Sequence, residues 1–421
     1  MKSLLVNTND ISGGAARAAY RLHQGLSLTD GIDSMMLVQN RVGDNHSVVT
    51  ADSPQDKWRK LVTKIRPTMD NLPKNFYPNR QKTPFSVQWF PNSIARVIND
   101  LSPDVVNIHW INMGFIPISS LKQIKAPLLW SLHDMWAFTG GCHYAGDCLS
   151  YLDSCGICPQ LGSQKENDLS RQIWLRKSQQ WQNVDFTVVA LSHWLKDCCL
   201  KSSLFRDRRI EIIHNGIDTN IYKPLDKKFA RNILNLPQDK KLILFGAMSA
   251  TSDGRKGFQF LAPSLEILKD NDNLELVIFG ASRPSQNADV CGLKTNYLGR
   301  LNDDISLALA YSAVDLFIAP STEDNLPNTV MESLACGTPC VAFNIGGMPD
   351  LITHHHSGYL AKPFDVNDLA HGITWVLEDE GRWNQLSQSA RQTVLEKFTL
   401  KIQAQKYLEL YQDVIANNQS Q

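Results

Sequence analysis

The stretch Ile318-Ala319-Pro320-Ser321-Thr322-Glu323-Asp324-Asn325-Leu326-Pro327-Asn328-Thr329-Val330-Met331-Glu332-Ser333-Leu334-Ala335-Cys336-Gly337-Thr338-Pro339 decides how the rest of the chain is read. An apolar run, Leu316–Ala319, ends at Pro320 and a polar loop follows. A helix is expected from about Pro327, where a missing N–H is harmless. A second apolar run begins at Pro339. Strand, loop, helix and strand in that order is the repeating unit of parallel sheets. In open α/β sheets, ligands sit beyond the carboxyl ends of the strands, and a helix N-terminus there offers N–H groups to an anion. The loop with Asn325, Leu326, Pro327 and Asn328 is thus placed to hold phosphate or sugar hydroxyls. Glu332, eight residues after Asp324, carries two acceptor oxygens suited to neighbouring ribose hydroxyls. The plainer reading makes Asp324 or Asn325 a helix cap and Glu332 a solvated side chain.

The same alternation runs outward in both directions. Strands are expected in the first half at 4–6, 34–38, Val105–Ile108, Leu128–Leu132, 186–190 and 210–213, and in the second half at 242–245, Leu274–Phe279, 296–298, Leu316–Ala319 and 339–343. The class is α/β. Two sheets of this size predict two Rossmann-like, doubly wound domains, 1–214 and 215–399, with 215–225 as the linker. After Asp365 the pattern is helical, and Tyr407, Leu408, Leu410, Tyr411 and Val414 form a stripe that must pack on something.

Composition narrows the function. The chain has 421 residues, with 42 Lys and Arg balanced by 42 Asp and Glu, so no global field favours nucleic acid. Met1-Lys2-Ser3-Leu4-Leu5-Val6-Asn7 turns polar too soon for a signal-peptide core, and no apolar run reaches the 18 or more residues of a membrane span. A cytoplasmic protein is expected. Residues 67–91 carry Pro67, Pro73, Pro78, Pro84 and Pro91 and read as a long irregular excursion. Before it, Trp58, Leu61, Val62 and Ile65 would share one helix face, with Lys57, Arg59, Lys60, Lys64 and Arg66 on the rest. That pattern suits weak, peripheral contact with the inner face of a membrane, or a short surface helix packed on its own domain.

Other residues carry chemistry singly. Gly13 and Gly14 follow the first strand, where a backbone without Cβ can approach a phosphate or sugar. Arg255 and Lys256, on the loop after strand 242–245, can neutralise a diphosphate leaving group. His133 and His109 each end a buried strand at the edge where function collects. The triplet His354-His355-His356 reads as exposed loop. Cys142, Cys148, Cys155 and Cys158, spaced C-x5-C-x6-C-x2-C, would close a structural zinc site, with reduced, unliganded thiols as the alternative.

Taken together, these pieces resemble the retaining, nucleotide-sugar-dependent glycosyltransferases of family 4. The opening stretch looks like that family's E-x7-E region, with Asp324 in place of the first Glu and Glu332 as the second, and is close to the "NLPNT…E…ACGTP" wording of the subgroup making bacterial surface polysaccharides of the colanic-acid type. Asp10-Ile11-Ser12-Gly13-Gly14-Ala15-Ala16-Arg17, Leu132-His133-Asp134-Met135-Trp136-Ala137-Phe138-Thr139-Gly140-Gly141, Asn215-Gly216-Ile217-Asp218 and Arg255-Lys256-Gly257 agree in order. The resemblance implies the GT-B architecture: two Rossmann-like domains facing a cleft, the first binding acceptor, the second binding the donor, and the last helix, 400–421, crossing back. It implies a hexosyltransferase acting on a glycan or lipid-linked acceptor in polysaccharide biosynthesis. His133 and Asp324 would serve catalysis, and Gly13, Gly14, Arg255, Lys256, Asn325, Leu326, Pro327, Asn328 and Glu332 the donor. With electrostatic stabilisation supplied by the protein, no metal or other cofactor is required for catalysis. The family's usual Gly-Arg opening of the loop after strand 242–245 is Gly246-Ala247 here, and Arg255 would stand in. A noncatalytic nucleotide- or sugar-binding protein and a nucleotide-sugar epimerase on the same fold are the rival readings.

Overall fold

A computed structural model describes residues 1–51, 57–246, 253–280 and 289–419, with the side chains of 57–62 left aside. Among the described residues the strands form two parallel sheets. The first contains β1 (Lys2–Asn9), β2 (Asp33–Asn40), β3 (Val48–Thr50), β4 (Val105–Ile108), β5 (Leu128–Leu132), β6 (Thr187–Ala190) and β7 (Ile210–Ile212), in the order β3-β2-β1-β4-β5-β6-β7. The second contains β8 (Lys241–Gly246), β9 (Leu274–Phe279), β10 (Thr295–Gly299), β11 (Leu316–Ala319), β12 (Cys340–Phe343) and β13 (Gly358–Ala361), in the order β10-β9-β8-β11-β12-β13.

Burial on both faces explains why the strands read as continuous apolar runs. Leu4 and Val6 of β1 face a cluster that includes Ile108, Trp130 and Phe138, while Leu5 between them faces Leu22, Leu26 and Tyr407. Each such side chain contributes about 1.5–3 kcal/mol of transfer free energy, so neither face tolerates a polar alternation. Parallel pairing sets Leu5 opposite Met36 on β2 and Asn107 on β4. In each sheet the chain first builds outward on one side and then jumps to the other, so the order reverses between β1 and β4, and again between β8 and β11. Loops leaving the carboxyl ends of those strands are where ligand-binding residues collect.

The chain divides into one compact unit of Met1–His214 with Gln403–Gln421 and a second of Asn215–Ile402. The final helix, Leu400–Gln419, thus belongs mainly to the first unit, where Tyr407 and Tyr411 are fully buried. Their hydroxyls meet Ser131 Oγ at 2.8 Å and Asn107 Nδ2 at 2.8 Å, side chains of β5 and β4. The apolar stripe read from the sequence therefore covers one face of the first sheet.

Three expectations change. Residues 215–225 are no free linker: Ile217 and Tyr222 are fully buried in the second unit, and Tyr222 Oη donates to Asp304 at 2.8 Å. The helix that begins at Lys57 runs through Pro67 to Asn71 and is followed by a turn of 3-10 helix, Leu72–Phe76, so the proline-rich segment is ordered at its start. Pro67 removes its own N–H from the ladder and crowds the carbonyl four residues back, and the helix ends one turn later, where Asn71 Nδ2 donates to the Pro67 carbonyl at 2.7 Å. Strands β3 and β13 are too short to announce themselves by periodicity; each is an outer strand of its sheet.

Candidate active site

In the second unit the loops after β8 and β11 are knitted together across the point where strand order reverses. Asp253 caps a single 3-10 turn, Gly254–Lys256, by accepting from the Arg255 amide. Lys256 Nζ then reaches Asp324 Oδ2 at 2.7 Å, and the Thr322 amide donates to the Arg255 carbonyl at 2.8 Å. Gly257 closes the turn at φ +75°, and a Cβ there would stand 1.7 Å from the Pro320 carbonyl oxygen. Only glycine allows both that backbone and that approach. Arg255 pairs with Asp253 at 2.8 Å, while Lys256 pairs with Asp324 of the β11 loop.

The helix expected from Pro327 is Asn328–Ala335, with Pro327 as its cap. Asp324, Asn325 and Leu326 are buried ahead of it, and Asn328 Oδ1 accepts from Asn215 Nδ2 at 3.3 Å. Asp324 does not cap this helix with its carboxylate; its charge goes to Lys256, and its carbonyl accepts from the Gly347 amide at 3.0 Å. Glu332 is 2% exposed, so the solvated reading fails, and Tyr311 Oη donates to its Oε2 at 3.1 Å. That contact also corrects the picture of two oxygens held ready for ribose: one already has a protein partner. Residues 247–252, including Ala247, lie outside the described residues.

In the first unit Gly13 and Gly14 leave the end of β1, with Gly13 at φ +101° as the cap of the helix Gly14–Ser27. His109 follows β4 and His133 follows β5 at the same edge, and their rings meet with Nδ1 of His109 3.0 Å from Nε2 of His133. Burial pushes His133 down to about 4 and His109 well below the usual imidazole range, each reinforcing the neutral form. His133 is therefore a neutral hydrogen-bonding group near pH 7.

A network behind this edge escaped sequence reading. Asp134 Oδ2 bonds His143 Nδ1 at 2.6 Å and accepts from Trp110 Nε1 at 2.9 Å, while His143 Nε2 meets Ser86 Oγ at 2.9 Å. Burial pushes the Asp134 carboxyl up, but His143 and the Trp136 and Trp110 N–H groups outweigh it and hold it below the usual carboxylate value. The signal available was His133-Asp134 followed by a second histidine beside Cys142. What no spacing could show is that Ser86, from the proline-rich segment, completes the network.

The four cysteines of that loop share a neighbourhood without forming a ligand set. Their charges would interact, yet no three of the four Sγ atoms lie within 4.8 Å of one another. Cys155 Sγ accepts from the Gly140 amide at 3.1 Å, and burial pushes its thiol up to about 12. A tetrahedral ion would need these sulfurs drawn closer together than they stand. Beside them Lys177 is fully buried, its Nζ donating to the carbonyls of Trp136 and Thr139. The side chains of Lys57, Trp58, Arg59, Lys60, Leu61 and Val62, on the basic helix, lie outside the described residues. His354, His355 and His356 are exposed in a turn before β13.

With two doubly wound parallel-sheet units, the chain has the GT-B architecture. It belongs to the group 1 and family 4 glycosyltransferases. The model described as "Glycosyltransferase Family 4" matches residues 12–221, and that described as "Glycosyl transferases group 1" matches 226–393. The putative colanic acid biosynthesis glycosyl transferase WcaC of Escherichia coli K12 is 26% identical over 81% of this chain and 83% of its own length. An Escherichia coli enzyme named UDP-Gal:alpha-D-GlcNAc-diphosphoundecaprenol alpha-1,3-galactosyltransferase is 23% identical over 55% of this chain and 61% of its own. Other curated relatives are matched over only 40–59% of their length. The crystal structure of Anabaena HepE in complex with UDP and glucose has the same fold, at TM-score 0.64 and 16% identity over 98% of this chain and all of that one.

Proposed function

We propose that this protein is a retaining glycosyltransferase that moves a hexose from a nucleotide diphosphate sugar to a glycan or lipid-linked acceptor in polysaccharide biosynthesis. One observation carries the donor assignment: the Lys256–Asp324 pair, which holds a cation over the carboxyl edge of the second sheet, beside the helix that starts at Asn328. Breaking the anomeric C–O bond leaves its electron pair on a β-phosphate oxygen, and Lys256 stabilises that charge together with the helix N-terminus. The departing phosphate takes the acceptor's hydroxyl proton while the new C–O bond forms on the same face. Glu332, buried beside this loop and joined to Tyr311, is the carboxylate assigned to ribose. In the first unit, neutral His133 supplies a polar contact to the transferred sugar. Relatives that use UDP-galactose or hold UDP and glucose support the donor class, and the lipid-diphosphate named in one of them supports the acceptor class.

Calorimetry with a panel of nucleoside diphosphates tests the site. Lys256→Ala and Glu332→Ala should each weaken binding by about 1.5–3 kcal/mol, one lost charge-assisted bond apiece. His133→Ala should lower turnover more than affinity. Unchanged affinity in the first two variants, with melting curves intact, sinks the assignment. Donor turnover separates an enzyme from a binding protein: hydrolysis or transfer of the sugar supports the first, tight binding without either the second. For the acceptor side we infer peripheral membrane contact through Lys57, Arg59, Lys60, Lys64 and Arg66, since a relative is named for a lipid-diphosphate acceptor. Flotation with anionic vesicles but not neutral ones is the expected result.

A further inference from the structure

The edge of the first sheet holds two imidazoles in contact and only one proton between them. His109 is 4% exposed, and its Nδ1 lies 3.0 Å from Nε2 of His133. Its other nitrogen, Nε2, is sealed from solvent and has no hydrogen-bond partner. His133 differs: the residue is only partly buried, and its Nδ1 is not among the sealed, unpartnered atoms.

Two arrangements satisfy the 3.0 Å contact. If His133 donates from Nε2, the proton of His109 must sit on its sealed Nε2, leaving a buried N–H without an acceptor. If His109 donates from Nδ1, the sealed atom is a bare lone pair. Orphaned buried N–H groups are rarer in folded proteins than undersatisfied acceptors, which selects the second arrangement. The Trp130 indole, donating to the His109 carbonyl at 3.2 Å, fixes the strand end that carries the ring.

We propose that His109 is a positioning residue that sets the tautomer of His133: it donates from Nδ1 to Nε2 of His133, so that His133 carries its proton on Nδ1 and presents it as a neutral hydrogen-bond donor to an oxygen of the bound sugar. The reading of His133 as a sugar contact is that of the proposed function; the tautomer itself does not depend on it. His133 is then a donor with fixed direction and has no lone pair facing the substrate, so it does not act as the base that removes the acceptor's proton.

Long-range proton–nitrogen correlation spectra of the full chain labelled with 15N-histidine read tautomers directly, with His109→Phe and His133→Phe assigning the signals. At pH 7.5 both rings should show a protonated Nδ1 and an unprotonated Nε2. A proton on Nε2 of His133 in the wild type overturns the proposal, whatever the activity. In His109→Phe, which keeps an aromatic ring but gives nothing to Nε2, the His133 signals should shift toward the Nε2–H form. Sugar transfer should fall about tenfold in kcat, the worth of one hydrogen bond, with KM for donor nearly unchanged. Unchanged kcat in a folded variant whose His133 tautomer has shifted also overturns it. Expected tautomers in a protein that turns over no nucleotide sugar would overturn the enzymatic reading instead, leaving the pairing intact.

Discussion

His23 shows what a single buried titratable residue does to the stability of this chain. It is 1% exposed, with Nδ1 2.9 Å from Ser34 Oγ and Nε2 2.7 Å from Ser47 Oγ, and burial pushes it down to about 4. His133 is held at about 4 as well, against 6.5 in an unfolded chain. Between those values the unfolded state binds more protons than the folded one, so stability is complete above pH 6.5 and declines as pH falls toward 4. Each histidine adds a slope of up to about 1.4 kcal/mol per pH unit in that window. Urea midpoints measured from pH 7 to pH 4.5 should therefore fall, and His23→Phe should reduce the slope by close to one proton. A pH-independent midpoint over that range contradicts the burial seen here. The same ionisation places no inflection between pH 6 and pH 8 in kcat/KM on account of His133.

Two loops behave as elements in their own right. At the second sheet, the β8 and β11 loops touch through Gly257 and Pro320, so Gly257→Ala must both strain a left-handed residue and force the loops apart. We expect a loss of about 2–4 kcal/mol in stability and weaker nucleotide binding although no charge has been removed, read by melting and calorimetry on the same sample. Unaltered affinity would mean that the Lys256–Asp324 pair does not depend on that closure. At the first sheet, Lys177 ties the start of the loop bearing the cysteines by donating to the Trp136 and Thr139 carbonyls. Its ammonium lies 3.7 Å from the Trp136 ring centroid, and burial pushes it down to about 7. Lys177→Met leaves two buried carbonyls without a donor and should cost about 2–4 kcal/mol. Because an unfolded lysine keeps its proton to about pH 10.4 and the folded one to about 7, wild type gains stability as pH rises from 7 to 9. The gap to the variant should widen over that range; a constant gap removes the buried-cation account.

At the scale of the whole molecule, the last helix ties the two ends of the sequence into one unit. Tyr407 and Tyr411 are fully buried against the first sheet, and Asn107 bonds both Tyr411 and Ser131. Removing residues 403–421 uncovers that face and strands two buried polar side chains, while the second unit loses no strand. Hydrogen exchange should show faster opening of β1, β4 and β5 in the truncated chain, with β8, β11 and β12 protected as before. Equal loosening of both sheets would show that the helix supports more than its own unit.

Much of this was determined by the sequence alone, because parallel strands buried on both faces must be mainly apolar, with the few polar side chains paired, as Asn107 and Ser131 are. Val105–Ile108, Leu128–Leu132, Leu274–Phe279 and Leu316–Ala319 have the bounds their apolar runs suggest. The loop after β11 is legible for a similar reason: a strand end, a polar turn and Pro327 before a helix are local signals. Pairings between distant segments are set by sheet order, which no local pattern contains. Lys256 meets Asp324 because β8 and β11 are neighbours, His109 meets His133 because β4 and β5 are, and Ser86 reaches His143 because the proline-rich segment folds back onto the cysteine loop. Spacing brings four cysteines into one loop, whereas the distances among their sulfurs follow from the packing of Gly140 and Lys177 around them, which only the tertiary structure supplies.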